Sequence, residues 1–404
     1  GEGATFESDN APLHIHFFQT FDMPVTAPHT HLCFVSQQAA ANLLPLLDRD
    51  FAPKRVLLFV TPQMSESARS LEEAIKLLPY PIKCERVPLV NAYDVEVLED
   101  LLLTLVEKLD KGTAVNLTGG TKLMSLVAQR VAQLAEFDSF YLQHDTGEVL
   151  YFGADVRGVR KIPLRFANPL LPYLRAYGFR AEETKRGMPF TKELLALSEE
   201  LVRSDSFAKL VPTLNYLASS ARETLCADGR DLDRDQAHAA LVDRLVEGSL
   251  LSIRGDKIRF TNEATRFFVN GGWLEEYVSD LIRKLRLPGL LVETNLTVEY
   301  CEGHESKTNL SGTHNELDVP VWYRNRLYVF ECKTIDYGKN DANDALSKLG
   351  LLAKRLGSAV QAVLVTFVPL KEKDLQRAKD QKIKVLTRSD LRRGGEVFRT
   401  LLEE

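Results

Sequence analysis

Residues 315–334 read NELDVPVWYRNRLYVFECKT. Leu317, Val319, Val321 and Tyr323 alternate with Asp318, Pro320 and Trp322. After a polar turn at Arg324 and Asn325 come Leu327, Val329 and Phe330, which is the pattern of a β-hairpin. A two-residue turn sets Tyr323 opposite Arg326, and the same register sets Asp318 opposite Glu331. Directly opposed Cβ atoms lie only about 5 Å apart, so like charges there repel. Lys333 projects from the same face as Glu331, and Cys332 from the other face, toward the core. Pro320 has no N–H to give to a ladder, which implies a bulge or an unpaired side.

Two carboxylates and a lysine on one face suit a hard divalent cation, Mg²⁺ or Mn²⁺. Such an ion would cancel their repulsion, polarise a phosphate and lower the pKa of a bound water. The lysine would orient that water or neutralise developing charge. A solvated strand face would explain the same three residues without a metal. The pattern Leu317-Asp318 followed by Glu331-Cys332-Lys333 resembles the PD-(D/E)xK nuclease superfamily, with leucine in place of the usual proline before the aspartate. The resemblance implies catalytic roles for Asp318, Glu331 and Lys333, and a metal set of Asp318, Glu331 and Cys332. It also implies a glutamate on the helix before the first strand. Trp273-Leu274-Glu275-Glu276-Tyr277-Val278 opens a helical stretch, where Glu276 fits that position and Glu275 is the alternative.

The 404 residues imply two or three domains, and 45% hydrophobic with 26% charged residues is an ordinary globular composition. No apolar run is long enough for a membrane span, and no signal peptide is evident. Cys33, Cys84, Cys226, Cys301 and Cys332 contain no C-x-x-C pair, so neither a zinc site nor a disulfide framework is supported, and a reducing cytoplasm is expected. A net charge of −5 confines any nucleic-acid contact to a local patch. One candidate runs through Lys371, Lys373, Arg377, Lys379, Lys382, Lys384, Arg388, Arg392 and Arg393, although a solvated helix face is the commoner cause of such a run. Residues 1–22 are polar and aperiodic and read as a flexible extension. His14 and His16, like His29 and His31, have a spacing that can bind metal.

From His31 onward, strand and helix alternate. The runs Leu32–Val35, Arg55–Val60, Ile82–Val87 and Ala114–Leu117 are followed by helical stretches at Ala39–Leu47, Glu66–Leu78, Val95–Leu109 and Lys122–Ala135, with a hairpin at Asp145-Thr146-Gly147. Such alternation means a parallel sheet covered by helices, with ligands bound beyond the carboxyl ends of the strands. The loops there carry Ser36 and Gln37; Thr61, Pro62 and Met64; Asn91 through Asp94; and Asn116 through Lys122. Gly119 and Gly120, just before a helix N-terminus, allow close backbone approach to a phosphate. Thr118, Thr121 and Lys122 add hydroxyl and ammonium contacts. The Walker spacing G-x-x-x-x-G-K is absent, and a tight strand-to-helix turn is the plain alternative.

Thr-Gly-Gly-Thr-Lys in this setting, with Ser-Gln after the first strand, resembles the CARF domains of type III CRISPR systems. These are Rossmann-like modules that dimerise and bind cyclic oligoadenylates. Joined to a PD-(D/E)xK domain, the whole is similar to the CRISPR ancillary nucleases switched on by cyclic tetra-adenylate. The fold expected is therefore α/β. It comprises a Rossmann-like CARF sensor at 23–186, a winged-helix-like connector at 187–272 and a restriction-endonuclease-like domain at 273–404. The connector rests on helices at Lys192–Val202, Phe207–Leu217 and Gln236–Glu247, followed by the hairpin turn Arg254-Gly255-Asp256-Lys257.

The resemblance implies a homodimeric, cytoplasmic enzyme that cuts DNA or RNA with Mg²⁺ or Mn²⁺. The competing expectation is a ligand-responsive transcription regulator that reads DNA with the winged helix. A third is that the sensor also degrades its activator, for which no decisive base is evident. An Arg-x4-His motif, which would mark a metal-free nuclease, is not found in a suitable helix.

Overall fold

The computed structural model describes residues 27–154, 158–166, 168–183, 191–230, 236–301, 314–335 and 342–404. The expected extension at 1–22, with His14 and His16, lies outside them.

The first segment runs β1 (Thr30–Phe34), α1 (Ala40–Leu47), β2 (Arg55–Val60), α2 (Ser65–Ile75), β3 (Lys83–Pro88), α3 (Val95–Val106), β4 (Thr113–Asn116), α4 (Lys122–Ala135), β5 (Asp138–Gln143), β6 (Glu148–Phe152) and β7 (Arg160–Pro163). Its seven strands lie in the order β3-β2-β1-β4-β5-β6-β7. The first five are parallel, and β6 and β7 turn back antiparallel. Every residue of β1 and β4 is buried, as central strands covered on both faces require. The strand order reverses between β1 and β4, so the crevice lies where the Ser36 and Thr118–Lys122 loops emerge. A Rossmann-like sensor fold was legible from this alternation.

Two elements not anticipated from the sequence follow, α5 (Leu170–Ala176) and β8 (Phe179–Glu183). The middle segment has α6 (Lys192–Arg203), α7 (Asp205–Ala208), α8 (Val211–Ser220), β9 (Cys226–Asp228), α9 (Gln236–Glu247), β10 (Leu251–Arg254), β11 (Lys257–Phe260) and α10 (Glu263–Phe267). The sheet β10-β11-β9 packed on helices is the winged-helix arrangement. The single helix expected over Phe207–Leu217 is instead α7 and α8. Pro212, in the first turn of α8, lacks the N–H that a continuous helix would need.

The last segment comprises α11 (Trp273–Arg283), β12 (Leu291–Val292), β13 (Leu296–Tyr300), β14 (His314–Leu317), β15 (Val319–Tyr323), β16 (Arg326–Lys333), α12 (Asn343–Arg355), β17 (Gln361–Thr366), α13 (Glu372–Asp380), β18 (Lys384–Thr387), α14 (Arg388–Leu391) and α15 (Gly395–Glu403). Its main sheet is β12-β15-β16-β17-β18, and β14-β13-β8 forms a second sheet with a strand from the first segment.

Two cores flank the main sheet. Trp322, Leu327, Val329 and Leu364 face a core shared with Leu43, Leu44, Phe140 and Tyr173 of the first segment. Val321, Tyr328, Phe330 and Cys332 face the core of the middle segment with Leu214, Trp273 and Phe398. Trp322 stacks edge-on against Tyr173 at 5.0 Å. The sheet that carries the candidate chemistry is therefore wedged between the other two segments.

Candidate active site

The hairpin register is the expected one. Tyr323 pairs with Arg326 and Val319 with Phe330, across a turn in which Arg324 and Asn325 both take the left-handed conformation (φ 46° and 62°). A two-residue turn of that kind matches the twist of the flanking strands. Pro320 makes no bulge, and of the two expectations it is the unpaired side that the strand adopts. Its carbonyl accepts from Glu293 N at 3.0 Å, so its nitrogen faces the side where short β12 has already ended rather than β16.

Asp318 itself is not within a regular strand. It is a bend between β14 and β15, and the chain passes from one sheet to the other at this point. The opposing chain makes the same passage between β12 and β13 at one unbroken register. Val292 pairs with Val321 before the bend, and Leu296 with Leu317 after it. Asn295 N donates to Asp318 O at 3.0 Å across the gap.

This corner aims the Asp318 carboxylate at the end of β16. Its Oδ2 accepts from Cys332 N at 2.7 Å. Lys333 Nζ stands 2.6 Å from Glu331 Oε1 and 3.7 Å from Asp318 Oδ2, so one ammonium spans both carboxylates. Asp318 is 5% exposed. Burial, and then the Glu331 charge, push its carboxyl up to about 7. Burial alone would lower the Lys333 ammonium, but Asp318 and Glu331 outweigh it and hold its pKa above the usual lysine value. The Cys332 thiol is buried, with its pKa raised by burial, and faces away from the site.

Both helix glutamates approach this cluster from α11. Glu275 is buried, and its charge acts on the Cys332 thiol and the Lys333 ammonium. Glu276 Oε1 accepts from Asn295 Nδ2 at 3.5 Å. The end of β16 is held by two further contacts. Asn215 Nδ2 on α8 donates to Thr334 O at 3.2 Å and to Thr334 Oγ1 at 3.1 Å. Gly271, at φ 109° in the π-helical turn before α11, admits Thr334 so closely that a Cβ there would lie 2.4 Å from its Oγ1. Sequence reading missed Asn215, Asn295 and Thr334. Only the double glycine Gly271-Gly272 before the helix hinted at a close approach.

Among the described residues, no group of three or more His, Cys, Asp and Glu side chains is arranged to hold a metal ion. The donor set fits a hard divalent cation nonetheless: two carboxylates crowd one face around a single lysine, and the Glu331 charge adds to burial in raising Asp318.

The basic C-terminal run is partly structural. Arg388 Nη1 pairs with Asp205 Oδ1 at 2.8 Å, and Arg392 pairs with the same carboxylate. Both guanidiniums also donate to Val202 O. These two residues fasten α14 and its C-terminal end to α6 and α7 instead of facing nucleic acid.

In the first segment the candidate loops gather at one sheet edge. Asn116 Nδ2 donates to Ala41 O at 2.9 Å and its Oδ1 accepts from Thr118 N at 2.9 Å, while Asn42 Nδ2 donates to Phe34 O at 2.8 Å. Gly119 lies against Phe34 O, where a Cβ would come within 2.4 Å, and Gly120 has φ 79°. Both glycines are thus required by packing as well as by any ligand. Thr121 Oγ1 caps α4 by accepting from Met124 N, and Thr118 Oγ1 accepts from Leu142 N at 2.7 Å. Asp94 caps α3, and Asn91 Oδ1 accepts from Tyr93 N. Thr61 is buried and Met64 packs on the core, while Gln37, Pro62 and Lys122 are exposed and Ser36 is half-buried.

A cleft of about 340 Å³ between the segments is lined by Gln37, Glu66, Ser67, Tyr177, Tyr300 and Arg355, with the Arg355 guanidinium 4.7 Å from the Tyr300 ring centroid. Beside it, Gln38 Oε1 accepts from Ser358 N and Oγ. All five cysteines are free, and no helix of the described residues is long and apolar enough to cross a membrane.

Residues 30–153 match the family described as Card1 CARF domain, and residues 261–401 that described as Card1-like, endonuclease domain. No curated protein matches the chain. Among solved structures, the protein VC1899 from Vibrio cholerae superposes with a TM-score of 0.81 at 22% identity, covering 93% of this chain and 98% of that one. Can2 from Sulfobacillus thermosulfidooxidans, solved with cyclic tetra-adenylate, gives 0.74 at 23% identity, covering 92% and 99%. A type III CRISPR defence DNA nuclease activated by cyclic oligoadenylate gives 0.53 at 20% identity, covering 87% of this chain and 47% of that one. With a CARF sensor fold, an acidic hairpin and both family matches in one polypeptide, the chain belongs to the CRISPR ancillary nuclease family that joins a Card1 CARF domain to a Card1-like endonuclease domain.

Proposed function

We propose that the chain is a divalent-metal-dependent nuclease of type III CRISPR defence, switched on when its CARF domain binds cyclic tetra-adenylate. The observation that carries this reading is the Lys333 ammonium set between the Glu331 and Asp318 carboxylates. Asp318 and Glu331 would hold Mg²⁺ or Mn²⁺, with Cys332 contributing main-chain oxygen only, since its thiol faces the core. Bound there, the cation supplies Lewis-acid polarisation of the phosphate and a water of lowered pKa.

The chain's own residues do the rest. Cys332 N fixes the rotamer of Asp318 by donating to its Oδ2. Lys333, which lies between the two carboxylates, would supply a positive charge to neutralise charge developing on the phosphate once those carboxylates hold the cation. Glu275 adds, from the helix side, to the negative charge of Asp318 and Glu331 that favours the protonated lysine. The activator would lie at the crevice between β1 and β4, against Ser36, Gln37 and the Thr118–Lys122 loop. Exposed Leu126 and Leu134 on α4 and Val90, Tyr93 and Val97 near α3 offer an apolar face to a second copy, which a symmetric ring ligand calls for.

The titration that tests the reading incubates the protein with plasmid and labelled RNA, with and without cyclic tetra-adenylate, in Mg²⁺, Mn²⁺ or chelator. Cleavage is expected only with activator and metal together. Glu331→Ala should lower it about a thousandfold or more, the several kcal/mol that metal assistance contributes, while activator affinity stays unchanged. Cleavage that survives chelator, or that Glu331→Ala leaves intact, contradicts the assignment.

A further inference from the structure

Asn295 is a buried residue with no part in the expected motif. It sits where the β12 to β13 passage crosses the β14 to β15 bend, opposite Asp318 by register. Its backbone is left-handed at φ 53°, a conformation that asparagine tolerates and bulkier residues do not. Its N–H donates to Asp318 O at 3.0 Å and its Nδ2 to Glu276 Oε1 at 3.5 Å. It is 6% exposed, and its Oδ1 is buried without a hydrogen-bond donor among the described residues. A buried amide oxygen left so costs about 1–3 kcal/mol, which a core position would not retain without a use.

We infer that Asn295 is a positioning residue of the metal site. Its backbone fixes the corner from which Asp318 projects, and its Oδ1 is the acceptor for a water held beside the carboxylates. The inference rests on the nuclease reading for its chemistry, but not for its test. Residues that orient metal ligands typically change metal affinity or turnover 10- to 100-fold when removed.

Three proteins decide it: wild type, Asn295→Gly, which keeps the left-handed backbone and removes the amide, and Asn295→Asp, which keeps the shape and replaces the donor by a second acceptor facing Glu276. Mn²⁺ binding is measured by calorimetry without substrate, and cleavage kinetics are measured with activator. Asn295→Gly is expected to weaken Mn²⁺ about tenfold and to lower kcat by a similar factor, with KM for nucleic acid within about twofold and an unchanged melting temperature. Asn295→Asp should likewise lower kcat and leave KM unmoved. Wild-type Mn²⁺ affinity and kcat in Asn295→Gly overturn the inference and leave the nuclease reading standing. A loss confined to melting temperature also overturns it, since the role is then structural. Wild type that binds Mn²⁺ but cuts nothing defeats the nuclease reading, while weaker binding by Asn295→Gly still upholds the positioning role. Absence of Mn²⁺ binding by wild type sinks both.

Discussion

At the scale of single residues, two buried titratable groups, Asp318 and His31, obey opposite logic. Asp318 is buried beside Glu331, a cost for which the proposed metal site accounts. His31 is fully buried between Phe51 and Phe140, with ring centroids 5.4 and 4.8 Å away, and neither of its nitrogens meets a hydrogen-bond partner among the described residues. Burial lowers its pKa from 6.5 to about 3, so the folded state keeps it neutral where the unfolded state takes a proton. Stability is therefore full above pH 6.5 and falls as pH drops from there toward 3, by at most about 1.4 kcal/mol per pH unit from this group. His31→Phe should preserve the aromatic stack and flatten that decline. Melting temperatures of both proteins at pH 7.5 and 5.0 provide the check, and equal losses would clear His31 of any part in acid sensitivity. The same distinction explains which site residues could be read in advance. Asp318, Glu331 and Lys333 lie within one hairpin, where a period of two dictates the facing side. Asn215 and Asn295 reach the site from 119 residues before Thr334 and from a bend with no periodic signature. The charge of Glu275 on Lys333 depends on the rotation of α11, which sequence spacing leaves open between it and Glu276.

At the scale of elements, strand and helix order was legible because apolar runs and amphipathic stretches alternate cleanly. The pairing of β8 with β13 was not, because nothing local in Phe179–Glu183 specifies a partner more than a hundred residues away. Nor was the switch of sheet at Asp318, since an alternating pattern continues straight through a bend. The π-helical turn at Phe268–Gly272 is the element on which the site depends most. Such turns are seldom kept without a purpose, and here Gly271 lets Thr334 seat against α8 and α11. Gly271→Ala would force a Cβ into a left-handed position, and against Thr334 Oγ1. It is expected to cost about 1–3 kcal/mol and to lower cleavage by displacing Lys333, one residue away. Paired measurements of melting temperature and kcat, with Asn270→Ala as a neighbouring control, test this. A Gly271→Ala protein as active and as stable as the control would refute the role of the turn.

At the scale of the whole molecule, the hairpin of β15 and β16 is gripped at both ends by other segments. The end that carries Lys333 is tied to α8 through Asn215 and Thr334. The turn at the other end meets the β5–β6 turn of the sensor, where Gly147 lies so close to Asn325 that a Cβ would sit 1.6 Å from its Nδ2 and where Asp145 stands 3.6 Å from Arg326. Strand β5 in turn is anchored to the Thr118–Lys122 loop, through Leu142 N and Thr118 Oγ1. A movement of the Thr118–Lys122 loop thus has a short, packed route to Glu331. Asn325→Gly separates the two, because glycine keeps the left-handed turn and removes only the side chain that touches the sensor. It is expected to leave basal cleavage and activator affinity near wild type while cutting the activation factor about fivefold or more, the lower end of ordinary coupling free energies. Linkage makes the effect reciprocal in binding. On a Glu331→Ala background that cannot cut, nucleic acid should tighten cyclic tetra-adenylate binding, and Asn325→Gly should reduce that tightening. If activation and mutual tightening both persist at full size in Asn325→Gly, the signal travels instead through the Gln38–Ser358 contact or through a second copy of the chain, and the hairpin turn is a spectator.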